Sequence, residues 1–351
     1  MNISQSNITS PVGDDHLHGS GIAIYIPVVY SIVFIVGLIG NSLLLYLLVK
    51  YTKLKSVSNI FIFNLAIADI LFMVGLPFLA YALASPSWNL GTAVCKIVLS
   101  IDGLNQFTGI YLLTVMSVDR YIVFVHPMKT MAFRTATKAK LVALCVWIFS
   151  SIVIFPLLLY SKLAESSKST YACTVVFPQY FNRTAFLIYT FILAFVLPLL
   201  IIITCYLLIS LELRRSRGPA IKTNAKKSSQ KVIKMVILYV TIFIVCWLPF
   251  YVIQFTYMFH VDQSKPPSQS FFVLYLTSIC LSYANSAINP YIYTLSTGAF
   301  RRNIQQSRRK QYKIVYSKNA SVSKSNEKNG TAKNNNVKKS IILKTSDEIA
   351  V

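Results

Sequence analysis

The stretch Ser100–Tyr121, SIDGLNQFTGIYLLTVMSVDRY, decides how the rest of this chain is interpreted. It is an apolar run of helical length with one carboxylate, Asp102, near its start and the triplet Asp119-Arg120-Tyr121 at its end. At a helical rise of about 1.5 Å per residue, the distance from Asp102 to Arg120 is roughly 27 Å, close to the hydrocarbon thickness of a bilayer. The stretch therefore predicts a membrane-spanning helix with an acid towards one membrane face and a candidate ion pair at the other.

The composition agrees with a membrane protein. The chain is 55% hydrophobic and 13% charged, whereas soluble domains carry about 25% charged residues. Seven apolar segments each exceed the roughly 20 residues that cross a bilayer. These segments are Ile22–Val49, Ile60–Ser85, Ile97–Val118, Leu141–Ser161, Thr184–Leu211, Met235–Phe259 and Pro266–Phe300. We predict an all-α membrane protein, with residues 22–297 forming a bundle of seven transmembrane helices.

Lysine and arginine are distributed unequally along the chain. The N-terminal segment and the loops after the second, fourth and sixth apolar segments hold five of the 34, and the other 29 lie in the remaining loops and the tail. The positive-inside rule then places the N-terminus outside the cell and the C-terminus in the cytoplasm of a multi-pass plasma-membrane protein. The excess positive charge, +23 for the whole chain, is therefore predicted to lie on a cytoplasmic surface that faces membrane lipid. Nucleic acid is excluded as a partner on this ground.

Both ends of the chain are predicted to lie outside the bundle. Residues 1–21 carry glycosylation sequons at Asn2 and Asn7, which can be used only if this end is extracellular. Residues 298–310 place two apolar side chains four apart between arginines, which favours a short amphipathic helix on the membrane surface. Residues 311–351 are basic, rich in Asn and Ser, and predicted to be a disordered cytoplasmic tail.

Cys95 and Cys173 are the cysteines outside the seven apolar segments, and both are predicted to be extracellular. That compartment is oxidising, so we expect a disulfide between the loop after the fourth segment and the top of the third. Cys95 lies about two helical turns before Asp102, so the disulfide would cover the Asp102 site. No metal site is expected, because the other four cysteines lie inside apolar runs as small hydrophobic residues.

Two carboxylates lie inside apolar segments that contain no Lys or Arg. An ionisable side chain in a membrane is costly unless it is paired or hydrated, so each marks a candidate site. Asp102, with Gln106 one turn further along the same face, is interpreted as the counter-ion of a cationic ligand group. Asp69 lies deeper, and either a structural water network or a small-cation site could explain it. Its candidate polar neighbours are Asn41, Asn105, Asn285 and Asn289.

The Asp119-Arg120-Tyr121 triplet ends the third segment on the predicted cytoplasmic side. Arg120 can pair with its neighbour Asp119 and be released to another partner, which is the two-state behaviour that a switch requires. Enzymatic activity is not expected, because no nucleophile and base, and no set of metal ligands, share one solvent-facing side.

Motifs along residues 22–310 resemble those of rhodopsin-type (class A) G-protein-coupled receptors. They are Gly40-Asn41, Leu65-Ala66-Ile67-Ala68-Asp69, Trp88 before Cys95, Asp119-Arg120-Tyr121, Trp147, Pro198, Tyr206, Phe243, Cys246-Trp247-Leu248-Pro249 and Asn289-Pro290-Tyr291-Ile292-Tyr293. Within that class the chain most strongly resembles somatostatin receptors and invertebrate allatostatin-C-type receptors, next to opioid receptors. The stretches that carry this likeness are Asp102–Thr108, Tyr189–Leu193, Trp247–Tyr251 and Tyr283–Ser286.

The resemblance implies a receptor for a cyclic neuropeptide, with a basic side chain that meets Asp102 and Gln106. Walls of the ligand site would come from Thr190, Phe250, Gln254, Tyr275 and Tyr283. An opioid-like or monoamine receptor would use the same Asp102 counter-ion and is the alternative. The monoamine alternative is weakened because the fifth segment lacks the serine cluster that usually binds a catechol. An opsin is not expected, because it would need a lysine in the seventh segment to hold retinal and that segment has none.

The resemblance also implies signalling through inhibitory Gi/o proteins to lower cyclic AMP, with arrestin and receptor kinases as further partners. The implied activation switch comprises Asp119, Arg120, Tyr121, Tyr206, Phe243, Trp247, Pro249, Asn289, Pro290 and Tyr293. No cofactor is expected, and Gly109 argues against the sodium ion that receptors of this class hold near the residue equivalent to Asp69. Gly109 stands where these receptors carry a serine of the sodium site, and no cysteine follows Cys280 to carry a palmitoyl anchor.

Overall fold

The chain forms a bundle of apolar helices, seven of which are long enough to cross a membrane within the part of the chain that the structure describes. The computed structural model describes residues 22–52, 54, 56–85, 87–126, 134–165, 170–178, 182–215, 222–260 and 268–296, with single positions 309 and 317. The predicted sequons at Asn2 and Asn7, and the predicted surface helix and tail apart from those two positions, lie outside the described residues.

The seven spans are numbered here in chain order. Their helices are Ile22–Leu47 with a π-helical end at Leu48–Thr52, Val57–Ala84, Gly91–Val125, Ala136–Tyr160, Arg183–Arg215, Lys222–His260 and Gln269–Ser296. Span 5 is built from two α-helices, Arg183–Phe191 and Leu197–Arg215, joined by the π-helical segment Ile192–Val196. The fold class predicted from the sequence is confirmed.

Several helices are longer than the apolar segments that predicted them. Span 3 was predicted as Ile97–Val118 and is observed as Gly91–Val125, and span 6, predicted as Met235–Phe259, begins at Lys222. A charged residue ends an apolar run without ending a helix, so hydropathy marks the membrane-embedded part only. Cys95 lies within the first turns of the span 3 helix, in agreement with its predicted position about two turns before Asp102.

Span 3 is central to the packing of the bundle. Its Phe107, Ile110 and Leu112 belong to three different buried clusters, which it shares with spans 4 and 5, with spans 5 and 6, and with spans 2 and 4 respectively. In contrast, span 4 exposes large apolar side chains at helical spacing. This outward stripe comprises Leu141, Leu144, Ile148, Ile152 and Phe155. An apolar outer surface is expected of helices that face lipid.

A two-stranded antiparallel sheet covers one end of the bundle, which is called the hairpin end below. Strands β1 (Ser161–Glu165) and β2 (Tyr171–Val175) place Leu163 opposite Cys173. The disulfide between Cys95 and Cys173 ties β2 to span 3, which confirms the predicted pairing. The hairpin itself was missed, because two strands of five residues leave too short a pattern to recognise.

The residues before span 3 also hold the hairpin. The backbone N–H of Trp88 donates to the carbonyl of Tyr171 at 2.7 Å, and the N–H of Tyr171 donates to the hydroxyl of Ser87 at 3.0 Å. The Trp88 ring is buried and lies edge-on to Tyr81 of span 2. Strand β2 is therefore attached to the loop before span 3 as well as to span 3 itself.

Candidate functional site

The carboxylate of Asp102 faces spans 2 and 7 at the hairpin end. The hydroxyl of Tyr283 donates to Oδ1 of Asp102 at 2.9 Å. The Tyr283 ring is held in turn by stacking on Phe72 of span 2, with 3.8 Å between ring centroids, and is 2% exposed. Within the described part of the chain, this intramembrane acid has a neutral partner in place of a salt bridge, so it can accept a cation from outside the protein.

Gln106, one helical turn beyond Asp102, begins a hydrogen-bond chain that joins three spans. Its Nε2 donates to the hydroxyl of Tyr251 at 2.7 Å, and that hydroxyl donates to the carbonyl of Thr190 at 3.2 Å. The Thr190 hydroxyl donates to Leu187 in its own helix, so this residue contributes its backbone carbonyl. Because Nε2 faces Tyr251, the amide oxygen of Gln106 is the end available to a further donor.

The other predicted wall residues lie on spans 6 and 7. Phe250 is half-buried and packs edge-on against Trp247, with 6.1 Å between ring centroids. Gln254 lies one turn further along span 6 and is half-buried, as is Tyr275 of span 7. The structure thus gathers aromatic and amide side chains from three helices around the Asp102 end of the bundle.

An aromatic cluster leads from the hydrogen-bond chain into the bundle. Tyr251 is 1% exposed and lies 5.0 Å from Phe191 and 5.8 Å from Phe195, measured between ring centroids. Phe195 stacks on Phe243 at 5.6 Å, and Phe243 lies 6.4 Å from Trp247. The predicted switch residues Phe243 and Trp247 are therefore packed into the same cluster as the partner of Gln106.

Asp69 is 1% exposed at the centre of a polar network deeper in the bundle. The side-chain amide of Asn289 donates to its Oδ2 at 3.0 Å. The amide nitrogens of Asn105 and Asn41 donate to the hydroxyl and the carbonyl of Ser286, at 3.2 and 3.1 Å. Four of the residues are those expected from the sequence, and Ser286 joins them.

Two oxygens of this network have no hydrogen-bond donor among the described residues. They are the amide oxygens of Asn41 and Asn105. Asn285, predicted as a member, is half-buried, and its neighbour Ser286 makes the contacts instead. A Cβ atom on Gly109 would approach only Leu65, at 3.7 Å, so this position has room for a small side chain.

At the opposite end of span 3, which is called the Arg120 end, Asp119 is paired with Arg134. The guanidinium donates from its Nε to Oδ1 at 2.8 Å and from its Nη2 to Oδ2 at 2.9 Å. These hydrogen bonds raise the pKa of Arg134 above its ordinary value, so the guanidinium is charged throughout the physiological range. Arg134 lies just before span 4, so the ion pair fixes the start of that helix to the end of span 3.

Arg120 donates instead to the hydroxyl of Ser58 on span 2, at 2.6 Å. The expected pairing of Arg120 with Asp119 is therefore wrong for this structure. Neighbouring residues on a helix point in directions about 100° apart and do not face each other. Asp119 faces span 4, whereas Arg120 faces span 2.

Tyrosine side chains complete the Arg120 end. The hydroxyl of Tyr293, on span 7, donates to the side-chain oxygen of Asn59 on span 2 at 3.0 Å. Tyr206, on span 5, is 9% exposed and belongs to the buried cluster that span 5 shares with spans 3 and 6. The remaining predicted switch residues are Tyr121, which lies edge-on to His126, and Pro249 and Pro290, which lie inside the helices of spans 6 and 7.

Comparison with known proteins identifies the family. The family model described as "7 transmembrane receptor (rhodopsin family)" matches residues 40–293. The chain belongs to the rhodopsin family of seven-transmembrane receptors. The receptor is 41% identical over 290 residues to somatostatin receptor type 1 of Rattus norvegicus, with 82% of this chain and 72% of the relative covered.

Further somatostatin receptors are similar to the receptor at comparable levels. Type 2 of Mus musculus is 41% identical over 279 residues, covering 79% of this chain and 75% of the relative. Type 3 of Homo sapiens is 40% identical over 289 residues, covering 81% and 68%. The predicted class of protein is thereby confirmed: this is a multi-pass plasma-membrane receptor with somatostatin-receptor-like sequence, and not an enzyme.

Sequence reasoning missed several partners of the predicted residues in the receptor. Ser58, Asn59 and Arg134 hold the Arg120 end, and Tyr251 anchors Gln106. Ser58 and Asn59 could have been predicted as polar contacts, because they are two adjacent polar residues at the start of the otherwise apolar span 2. Arg134 and Tyr251 could not have been predicted in this way. One is an arginine in a basic loop and the other a tyrosine in an aromatic-rich helix, so neither stands out in the sequence.

Proposed function

We propose that the receptor binds an extracellular cyclic neuropeptide of the somatostatin or allatostatin-C type and signals through Gi/o proteins to lower cyclic AMP. The observation that carries the proposal is the arrangement of Asp102 and Gln106. A carboxylate oxygen and an amide oxygen lie one helical turn apart on span 3, below a disulfide-held hairpin. Together they form an acceptor pair for one basic group.

The family relationship supports a peptide as the bearer of that group. The most similar relatives reported above are named as receptors for somatostatin. Half-buried aromatic side chains, Phe250 and Tyr275, also lie towards the hairpin ends of spans 6 and 7, together with the amide of Gln254. Such a surface suits the apolar side chains that flank a basic residue in a peptide.

Signal transfer would begin at the contact between Gln106 and Tyr251. A basic group that draws the Gln106 amide towards itself weakens the hydrogen bond to Tyr251, which is packed against Phe195. Phe195 contacts Phe243 at 5.6 Å, so a shift of Tyr251 changes the packing of span 6. We propose that span 6 then moves outward, and that Arg120, Tyr206 and Tyr293 receive the G protein.

The orientation predicted from the charge distribution belongs to the same proposal. The hairpin end faces the outside of the cell, with Asn2 and Asn7 as glycosylation sites. The Arg120 end faces the cytoplasm, where arrestin and receptor kinases meet the basic loops and tail. The amphipathic stretch 298–310 lies on anionic lipid of the inner leaflet.

The network around Asp69 fits a sodium ion. The buried carboxylate of Asp69 and the amide oxygens of Asn41 and Asn105, which lack a donor among the described residues, are oxygen ligands of the kind that a small hard cation prefers. The hydroxyl of Ser286 would be a further ligand. A bound sodium ion would supply the positive charge that Asp69 otherwise lacks, and it would hold spans 1, 2, 3 and 7 together.

The proposed function is tested by expressing the receptor in cells and measuring cyclic AMP and Gi/o activation. Synthetic somatostatin, allatostatin-C-type peptides, opioid peptides and monoamines are applied in parallel. The proposal expects inhibition of cyclic AMP by a disulfide-cyclised peptide of the first two classes. A response confined to opioid peptides or to monoamines would overturn it in favour of the alternative ligand classes.

A further inference from the structure

Arg183, the first residue of span 5, lies at the hairpin end with its guanidinium over the ring of Tyr257 on span 6. Its Cζ atom is 5.7 Å from the ring centroid, within the roughly 6 Å at which a cation is attracted to an aromatic face. The Tyr257 ring in turn packs against Phe271 of span 7, with 5.9 Å between ring centroids. The three side chains therefore form one cluster that joins spans 5, 6 and 7.

This cluster continues the helix faces that carry the predicted walls of the ligand site. Tyr257 lies three residues after Gln254, and Phe271 lies four residues before Tyr275. Side chains at these spacings share one face of a helix. The charge of Arg183 also interacts with the Tyr275 hydroxyl. The cluster is therefore the outer rim of the site whose deeper part holds the carboxylate of span 3.

The charge of Arg183 has no acidic partner among the residues that the structure describes, where the ion pair is that of Arg134 with Asp119. The Arg183 side chain is exposed, and no described residue accepts a hydrogen bond from it. A guanidinium carries five N–H donors in one plane, in a geometry that matches the two oxygens of a carboxylate. Because the contact with Tyr257 is made through the face of the ring, these donors are available at the rim of the site.

We propose that Arg183 binds a carboxylate of the peptide ligand, located at the C-terminus of the peptide or on an acidic side chain next to it. This inference rests on the proposed function, since it concerns the same peptide in the same site. Asp102 and Arg183 then bind ligand groups of opposite charge at two depths. Tyr257 is a positioning residue, which holds the guanidinium through its ring and not through its hydroxyl.

The separation of the two charges suits a cyclic peptide. Tyr275, which interacts with the charge of Arg183, lies eight residues before Tyr283 on span 7. Tyr283 is the residue that donates to Asp102. Eight helical residues rise about 12 Å, and an extended peptide strand covers that distance in roughly four residues. A disulfide-cyclised peptide can therefore place a basic side chain of its turn at Asp102 while its chain ends stay level with Arg183.

The test uses synthetic somatostatin and an allatostatin-C-type peptide. Each is made with a free C-terminal carboxylate, as the C-terminal amide, and as the amide extended by one glutamate. Inhibition of cyclic AMP is measured for the wild-type receptor, Arg183→Gln and Tyr257→Ala at equal surface expression. Two matched controls accompany them. Lys162→Gln removes an exposed cation from strand β1 at the same end of the receptor, and Tyr257→Phe keeps the aromatic ring.

The wild-type receptor and both controls are expected to prefer the carboxylate form over the amide by about fivefold, the size of an exposed ion pair of good geometry. Arg183→Gln should reduce this preference to less than about twofold, and the loss should fall on the carboxylate form. Tyr257→Ala should give an intermediate preference, because the charge remains but its position is no longer held by the ring.

The extended amide distinguishes the two sources of the carboxylate. A gain over the plain amide that disappears in Arg183→Gln supports an acidic side chain as well as the chain end, and no gain supports the terminal carboxylate alone. Equal potency of the carboxylate and amide forms on the wild-type receptor would overturn the inference and leave the proposed function intact. A preference that survives Arg183→Gln, or that Lys162→Gln lowers equally, would overturn it too. A wild-type receptor that responds to neither peptide in any form contradicts the proposed function, and the inference falls with it.

Discussion

Arg134 binds both carboxylate oxygens of Asp119, at 2.8 and 2.9 Å, and Arg120 is thereby left to donate to Ser58. The switch triplet of this receptor is therefore divided between two neighbours. Asp119 holds the segment that leads into span 4, and Arg120 holds span 2. The loop residue Arg134 takes the place next to Asp119 that sequence reasoning gave to Arg120.

The ion pair is predicted to be energetically coupled. The side chains of Arg134 and Asp119 are 30% and 13% exposed, and a bidentate pair of this kind contributes about 1 kcal/mol. We expect Asp119→Asn and Arg134→Gln each to lower the melting temperature of the solubilised receptor. The double variant should lose less than the sum of the two. Lys140→Ala, an exposed cation on the next helix, is the control, and fully additive losses would show that the pair contributes nothing.

Arg120 is predicted to be required for signalling and dispensable for ligand binding. Arg120→Ala should reduce Gi activation to less than about a tenth of the wild-type level at equal surface expression, because the G protein loses its central contact. Binding of labelled peptide to intact cells should persist, since Asp102 lies roughly 27 Å away along span 3. Full signalling by this variant would refute the assignment of Arg120 to the switch.

The Gln106–Tyr251–Thr190 chain is predicted to stabilise the bundle and to orient Gln106. Tyr251→Phe leaves the Gln106 amide nitrogen and the Thr190 carbonyl without this partner, at a cost of about 1–3 kcal/mol for a buried polar group. We expect a lower melting temperature and weaker peptide binding. The matched control is Tyr257→Phe, which removes a hydroxyl from the same helix at a half-exposed ring and should change neither. Equal behaviour of the two variants would contradict the role of Tyr251.

The proposed sodium site around Asp69 is predicted to be sensitive to the side chain at residue 109. Gly109→Ser adds a hydroxyl where there is room for it, so sodium should reduce agonist binding several-fold more in this variant than in the wild type. Asp69→Asn should abolish the sodium effect in either background, because the charged ligand is lost. The measurement is agonist binding in sodium chloride against an equal concentration of N-methylglucamine chloride. Sodium effects that survive Asp69→Asn would exclude this network as the site.

The parts of the site that depend on helical period could be predicted from the sequence. Asp102 and Gln106 share a face because they are four residues apart, and the spans were recognisable because charge is excluded from lipid. The Cys95–Cys173 disulfide could be predicted because both cysteines were expected on the oxidising, extracellular side of the membrane. None of these inferences required knowledge of how one helix packs against another.

The contacts between helices could not be predicted in this way. The bond from Tyr283 to Asp102 depends on how spans 2, 3 and 7 are rotated, which no single helix specifies. Similarly, Arg134 lies beside Asp119 only once the start of span 4 is packed against the end of span 3. The sequence between these helices offers other lysines as candidate partners, so the pattern alone does not single out Arg134. The sequence therefore predicts where the acidic residues lie, whereas the packing of the helices determines which residues contact them.

The central claim is that Asp102 is the counter-ion of a basic group on a peptide ligand. A double-mutant cycle that removes the charge from the receptor and from the peptide in turn tests it most directly. The potency of a cyclic peptide with a single lysine, and of the same peptide with norleucine, is measured by inhibition of cyclic AMP for the wild-type receptor and Asp102→Asn. The lysine peptide should lose roughly 2–5 kcal/mol, or about 30- to 4000-fold, on Asp102→Asn. The norleucine peptide should be weak on both receptors and nearly equal between them. Unchanged potency of the lysine peptide on Asp102→Asn would contradict the account.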